Sequence, residues 1–292
     1  MTAAALPEGT QLGGTQPGGS RLGGNRLVRA VGDSAAMAGR NVRRLSRAPD
    51  QVMFTLISPI MFTLLFVYVF GGAIGGLGRV HYVNYLIPGI AVQTAIFTSG
   101  NSGFALAEDR SAGFVDRLRS LPMARSAVLA GRVSADSLSN AAGLVIIILV
   151  GLAVGFRPHS VPGLVAGFAV LLAFSLATSF LFALIGLYAS SSQAVNAATF
   201  PVVFPLTFAS SAFVPVATMP SWLRAFANHQ PVTTVINTVR DLSFGNVGKP
   251  QRDQLFAGQS TTALVVQSLL WAAGIGLVFG YLAVRRYNST TS

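Results

Sequence analysis

Between Arg157 and Arg224 the chain carries no Asp, Glu, Lys or Arg. A soluble domain cannot hide so long an uncharged stretch, because charged residues make up about a quarter of an ordinary globular sequence. Here they make up 10%, against 52% hydrophobic residues. A continuous apolar run of about 20 residues is what a helix needs to cross a bilayer. The alternation expected of an outer-membrane barrel strand is absent. The chain is therefore expected to be an all-α integral membrane protein, a helical bundle.

Six spans are predicted. The first, Val52 to Phe70, has no charge over nineteen residues and carries a kinking Pro59. The others fall at about 85–102, 134–156, 164–188, 194–214 and 263–284, making residues 51–286 a six-span unit. The fourth and fifth are separated by the uncharged break Ala189 to Gln193. Lys and Arg divide 14 against 6 between the two classes of connecting segment. Basic residues mark the cytoplasmic side, so both termini are expected inside, in the cytoplasmic membrane. The net charge of +11 follows that sidedness, and no nucleic-acid partner is expected.

Residues 1–24 are Gly-rich and polar, with nothing to bury, and are expected to be a disordered tail. No apolar run precedes residue 51, so no signal peptide is expected. Over 25–50, Leu27, Val31, Ala35, Ala38, Val42 and Leu45 share one helical face opposite Arg26, Arg29, Arg40, Arg43, Arg44 and Arg47. This reads as a basic amphipathic helix lying in an anionic interface; a nucleic-acid-binding helix is the competing reading. Between the fifth and sixth spans, Trp222, Leu223 and Phe226 suit an interface, and Pro231 suits a first helical residue. Val232, Val235, Ile236, Val239 and Leu242 then recur at helical spacing, so one or two short helices on or dipping into the outer leaflet are expected. Residues 287–292 form a short cytoplasmic tail.

One segment stands out by its charge, Glu108 to Met123, EDRSAGFVDRLRSLPM. As a helix it places Phe114, Val115, Leu118 and Leu121 in one apolar stripe, with Glu108, Arg110, Asp116, Arg117 and Arg119 available for polar contacts and Pro122 as its stop. It reads as a contact surface for a cytoplasmic partner; a solvated loop is the alternative.

Chemistry inside the chain is sparse. There is no cysteine. His81, His159 and His229 fall in connections, without metal or hydrolase spacing. The span centres carry no acid of the kind an ion-coupled carrier uses. The single lysine, Lys249, is followed by Pro250, so the chain has no P-loop. No catalytic residue and no metal or cofactor site is expected here; energy must come from elsewhere, and a separate soluble ATPase would supply it.

The runs PIMFTLLFVYVFGGA, LIPGIAVQT, RSLPM, FPLTFASSAFVP, MPSWLRAFANHQPVT and VRDL together resemble a type-2 ABC exporter permease, of the daunorubicin/doxorubicin resistance kind. The resemblance covers about residues 40–286. It implies a dimeric transmembrane unit with an identical or homologous second permease, two P-loop ATP-binding subunits that hold ATP and Mg, and outward export of a hydrophobic drug- or lipid-like molecule. It also makes 108–123 the coupling helix and 25–50 the family's connecting helix. A substrate path is read from Phe62, Phe66, Gln93, Phe97, Phe200, Phe204, Thr207 and Phe208, where aromatic bulk meets sparse polarity; packing against helices or lipid is the other reading of each. The reading from a different class is a carrier or membrane scaffold independent of an ATPase.

Overall fold

The computed structural model describes residues 49–71, 82–111, 125–244, 253, 255–256 and 258–289. The tail at 1–24, most of the amphipathic segment at 25–50 and the bulk of the charged segment, residues 112–123, lie outside these. Among the described residues the chain is helical, with no strand. The main helices are α1 (Pro49–Leu65, continued by a π turn, Phe66–Phe70), α2 (Tyr82–Ser111), α3 (Arg125–Val154) and α4 (Val161–Tyr188). They are followed by α5 (Ser192–Phe208), α6 (Ser221–His229), α7 (Pro231–Phe244) and α8 (Thr261–Ser289).

Local chemistry sets several of these bounds. Ser160 opens α4 by accepting the Gly163 N–H at 3.0 Å, and Pro162 follows where its missing N–H costs nothing. Ser191 does the same for α5, accepting the Ala194 N–H at 3.2 Å. The polar break read at 189–193 is thus a capped turn. Pro231 begins α7 as expected. The helix α5 stops at Phe208, earlier than the stretch predicted to 214, and the chain turns sharply through Ala209 to Phe213. Among the described helices, α4 (161–188) and residues 261–287 of α8 are long and apolar enough to cross a membrane, and 57–70 and 140–154 form shorter apolar helical stretches.

The centre of the bundle is α4, which packs along α2 and α8 and also meets α3 and α7. The main core draws Leu86, Ile90, Leu144, Leu171, Phe174, Val203 and Val235, among others, from α2 to α5 and α7. A smaller cluster, Leu106, Ala183, Leu187, Ala283 and Tyr287, closes the opposite end of α2, α4 and α8. Midway, a polar knot joins three helices. Asn140 donates to the Ser175 hydroxyl at 2.7 Å, the Ser99 hydroxyl lies 3.1 Å from that of Ser175, and Thr178 donates to Ser99 at 3.1 Å. Every one of these side chains is buried, and mutual satisfaction is what makes that burial tolerable.

Two pairs of glycines spaced four residues apart lie at helix contacts. Gly163 and Gly167 of α4 face Leu242 and Val239 of α7, while Gly276 and Gly280 of α8 face Ala177 and Phe180 of α4. At a further crossing Gly103 of α2 meets Gly186 of α4, and there backbone approaches backbone directly.

Candidate functional site

Two helices present aromatic side chains at every fourth position. On α1 and its π turn, Phe62 and Phe66 stack with centroids 6.0 Å apart, and Phe66 and Phe70 with centroids 5.0 Å apart. On α5, Phe200 and Phe204 stack at 5.1 Å, and Phe204 and Phe208 at 4.1 Å. One further ring links the two rows. Phe213, in the turn after α5, stacks on Phe66 at 4.4 Å and lies tilted against Phe208 at 5.0 Å.

The result is a continuous ladder of seven rings spanning α1, the turn and α5. Phe213 itself is buried, but the ladder opens outward along both rows: Phe200 is 56% exposed, Phe204 40%, Phe62 37% and Phe70 39%. Such an exposed aromatic face can bind a flat or amphipathic molecule by stacking, at centroid spacings within the favourable range for aromatic pairs. By contrast, the cavity between α2, α3, α4 and α7, lined by Pro88, Leu144, Phe168 and Val239 among others, holds only about 20 Å³. That is room for about one water.

The structure thus brings together five residues of the predicted path, Phe62, Phe66, Phe200, Phe204 and Phe208. Phe97 is half-buried and packs against the main core, and Gln93 is buried on α2. The hydroxyl of Thr207 is fully buried and donates to the Val203 and Phe204 carbonyls of its own helix, at 2.9 and 3.2 Å. Of the predicted coupling residues, Glu108 is exposed near the end of α2 and Arg110 belongs to that helix. Phe114, Asp116, Arg117, Leu118, Arg119, Leu121 and Pro122 lie outside the described residues.

Sequence reasoning missed two parts of the site. The first is Phe213, which falls within a predicted span but off the i, i+4, i+8 row. The second is the polar face of α7. The helix and its apolar positions Val232, Val235, Ile236 and Val239 follow the expected spacing and are buried, but so are Thr233, Asn237 and Arg240 on the polar side. Among the described residues Arg240 is the largest fully buried side chain. Its guanidinium donates to the Tyr85 carbonyl through Nε at 3.1 Å and Nη2 at 2.9 Å, to the Ser211 carbonyl through Nη2 at 2.8 Å, and to Asn237 Oδ1 through Nη1 at 3.0 Å. It also lies 3.6 Å above the Tyr85 ring. Burial lowers the guanidinium's proton affinity from its ordinary value, and Tyr85 opposes that shift. The Tyr85 carbonyl lies next to that of Asn84, which the proline at 88 leaves without its helical N–H donor. In turn the Asn84 side chain accepts the Arg157 N–H at 2.8 Å.

Comparison with known proteins decides which family carries this arrangement. Residues 34–244 match the ABC-2 type transporter model. The chain belongs to the ABC-2 type transporter family. Over 242 residues it is 32% identical to the daunorubicin resistance ABC transporter permease protein DrrB1 of Streptomyces coeruleorubidus, covering 82% of this chain and 81% of that one. It is 26% identical over 249 residues to the doxorubicin resistance ABC transporter permease protein DrrB of Mycobacterium tuberculosis, covering 82% and 81%. Proteins of the ABC-2 type are integral to the membrane, and the long apolar helices of this chain accord with that setting. Within the matched region lie the whole ladder and α7.

Proposed function

We propose that the chain is the transmembrane permease subunit of an ATP-driven exporter that moves a hydrophobic or amphipathic drug, antibiotic or lipid-like molecule out across the cytoplasmic membrane. The observation that carries this reading is the exposed ladder from Phe62 to Phe200. A ligand pocket for a drug-sized molecule measures about 300–1,000 Å³, far more than the cavity between α2, α3, α4 and α7, and the exposed ladder favours reception of the ligand on a face completed by lipid or by a second permease subunit. The relatives named for daunorubicin and doxorubicin resistance point to polycyclic aromatic compounds, which suit stacking rings.

The working unit is two permeases, identical or homologous, with two P-loop subunits that bind ATP and Mg. Six spans with both termini inside put the ladder's Phe70–Phe213 end outermost and Glu108 innermost. Reporter fusions after Gly76, after Ser190 and at the C terminus are expected to read outside, inside and inside; an outside C terminus would refute this topology.

Selectivity is expected to reside in the ladder. Phe204→Ala removes the ring stacked between Phe200 and Phe208, on an exposed position where little core packing is lost. Transport of daunorubicin should fall about twofold to tenfold relative to a non-aromatic amphiphile, since a stacked ring pair contributes about 0.5–1.5 kcal/mol beyond its area. Parallel transport assays in vesicles check this, and an unchanged ratio in an assembled variant would assign these rings to packing alone.

Coupling runs through residues 108–123, the innermost connection long enough to reach a motor subunit. Phe114 and Leu118 anchor the helix, and Arg117, Arg119 and Asp116 orient it. Exposed ion pairs there contribute roughly 0–1 kcal/mol each, whereas truncating a buried phenylalanine costs roughly 3–5 kcal/mol. Phe114→Ala should therefore weaken drug-stimulated ATP hydrolysis far more than Arg119→Ala. Wild-type hydrolysis and ATPase association in both Phe114→Ala and Leu118→Ala would remove the coupling role from this segment.

A further inference from the structure

The ladder's two rows stand on separate helices, and Phe213 joins them from a turn where no helical hydrogen-bond ladder fixes the backbone. What fixes it comes from α2 and α7. The Tyr82 hydroxyl donates to the Phe213 carbonyl at 3.1 Å, and the Tyr85 hydroxyl to the Ser211 carbonyl at 2.8 Å. From the other side Arg240 reaches the same Ser211 carbonyl and ties it to the Tyr85 carbonyl. Gln230, immediately before α7, donates to the Leu206 and Ala209 carbonyls at 3.0 and 2.9 Å. Between these ties α2 lies directly against the turn: a Cβ added at Gly89 would collide with the Ala212 backbone.

Four carbonyls at the end of α5 are thus held by side chains that contribute no ring to the ladder. We infer that Arg240, with Tyr82 and Tyr85, forms a clamp that positions Phe213 between Phe66 and Phe208 and thereby sets which compounds the aromatic path accepts. This rests on the ladder being the substrate path. The planar guanidinium fork spans two carbonyls at once, which a lysine ammonium on a flexible stem cannot do with the same geometry. Tyr82 offers the mildest intervention, since phenylalanine keeps its ring and loses only the bond to Phe213.

The test uses the full permease reconstituted with its ATP-binding subunit. Stimulation of ATP hydrolysis is titrated with daunorubicin and with a single-chain alkyl quaternary ammonium, and the ratio of the two half-maximal concentrations is recorded beside the maximal rates. Tyr82→Phe and Arg240→Lys are each expected to change that ratio by about threefold to tenfold, the scale of one buried hydrogen bond, with a smaller change in maximal rate. Ser175→Ala, which loses buried bonds to Asn140 and Ser99 in the polar knot of α2, α3 and α4, should leave the ratio as in the wild type and serves as the measure of simple destabilisation. If Arg240→Lys does not assemble, Tyr82→Phe decides alone. An unchanged ratio in Tyr82→Phe, or an equal change in Ser175→Ala, overturns the clamp's role. When Phe204→Ala changes the ratio and the clamp variants do not, the aromatic path stands and this inference alone fails. Absence of stimulation by either compound in the wild type would overturn the export reading and the clamp with it.

Discussion

Gly186→Leu is expected to abolish the assembled permease, and Gly103→Ala to weaken it by about 1–3 kcal/mol, the usual cost of forcing extra atoms into a packed interior. A Cβ at Gly186 would meet the Gly103 carbonyl, and one at Gly103 would meet the Phe182 carbonyl. These are backbone atoms of two regular helices, so no side-chain rotation relieves the clash. The helices would have to separate, and α2 and α4 share Leu86, Ile90, Leu171, Phe174 and Phe182 in one core. Separation would expose or loosen that whole set. Gly143→Ala supplies the contrast, because an added Cβ there meets nothing within 4 Å and a helical Gly→Ala change ordinarily gains about 0.5–1 kcal/mol. Thermal unfolding in detergent, followed by size exclusion, should rank Gly143→Ala at or above wild type, then Gly103→Ala, with Gly186→Leu absent from the monodisperse fraction. Equal behaviour of Gly103→Ala and Gly143→Ala would show that the crossing has slack.

The second large effect is expected at Arg240. Truncation to alanine deprives the Tyr85 carbonyl of both its guanidinium bonds, weakens the hold on Ser211 and leaves a space where a wholly buried side chain stood. An unsatisfied buried polar group costs about 1–3 kcal/mol, and lost packing along the arginine stem adds to it. A destabilisation of about 3 kcal/mol or more is expected from these terms together. Arg224 tests whether this is a property of the site or of arginines in general. It is exposed on α6, donating to the Ala217 and Met219 carbonyls at 2.8 and 3.0 Å, and Arg224→Ala should cost about 1 kcal/mol or less because water replaces its bonds. The same unfolding measurement distinguishes them; comparable losses would mean that the buried network adds little.

How far the sequence reached depends on the range of the interaction. Helix identity came from runs of apolar residues, and the aromatic row of α5 from the spacing of Phe200, Phe204 and Phe208, both properties of contiguous residues. The start of α7 at Pro231 was legible for the same reason. Its burial was not. Reading Val232, Val235, Ile236 and Val239 as one face leaves Thr233, Asn237 and Arg240 for solvent or headgroups, and only the folded chain brings Ser211 against all three and the Tyr85 carbonyl within reach of Arg240. Likewise neither Gly103 nor Gly186 has a second glycine four residues away in its own helix; they match only across the α2–α4 contact. Gly163 with Gly167 and Gly276 with Gly280, which do form such motifs, sit at helix contacts as well.

As the permease of an ATP-driven exporter, this chain is expected to move aromatic amphiphiles only when a separate ATPase drives it. The most direct measurement is daunorubicin accumulation in inside-out vesicles containing the permease alone, the P-loop subunit alone, or both, with and without hydrolysable ATP. Uptake against a gradient is expected solely with both proteins and ATP, and is expected to be lost on substituting a non-hydrolysable analogue; uptake by the permease alone under an ion gradient, or none with the purified complex that hydrolyses ATP, would contradict ATP-driven export.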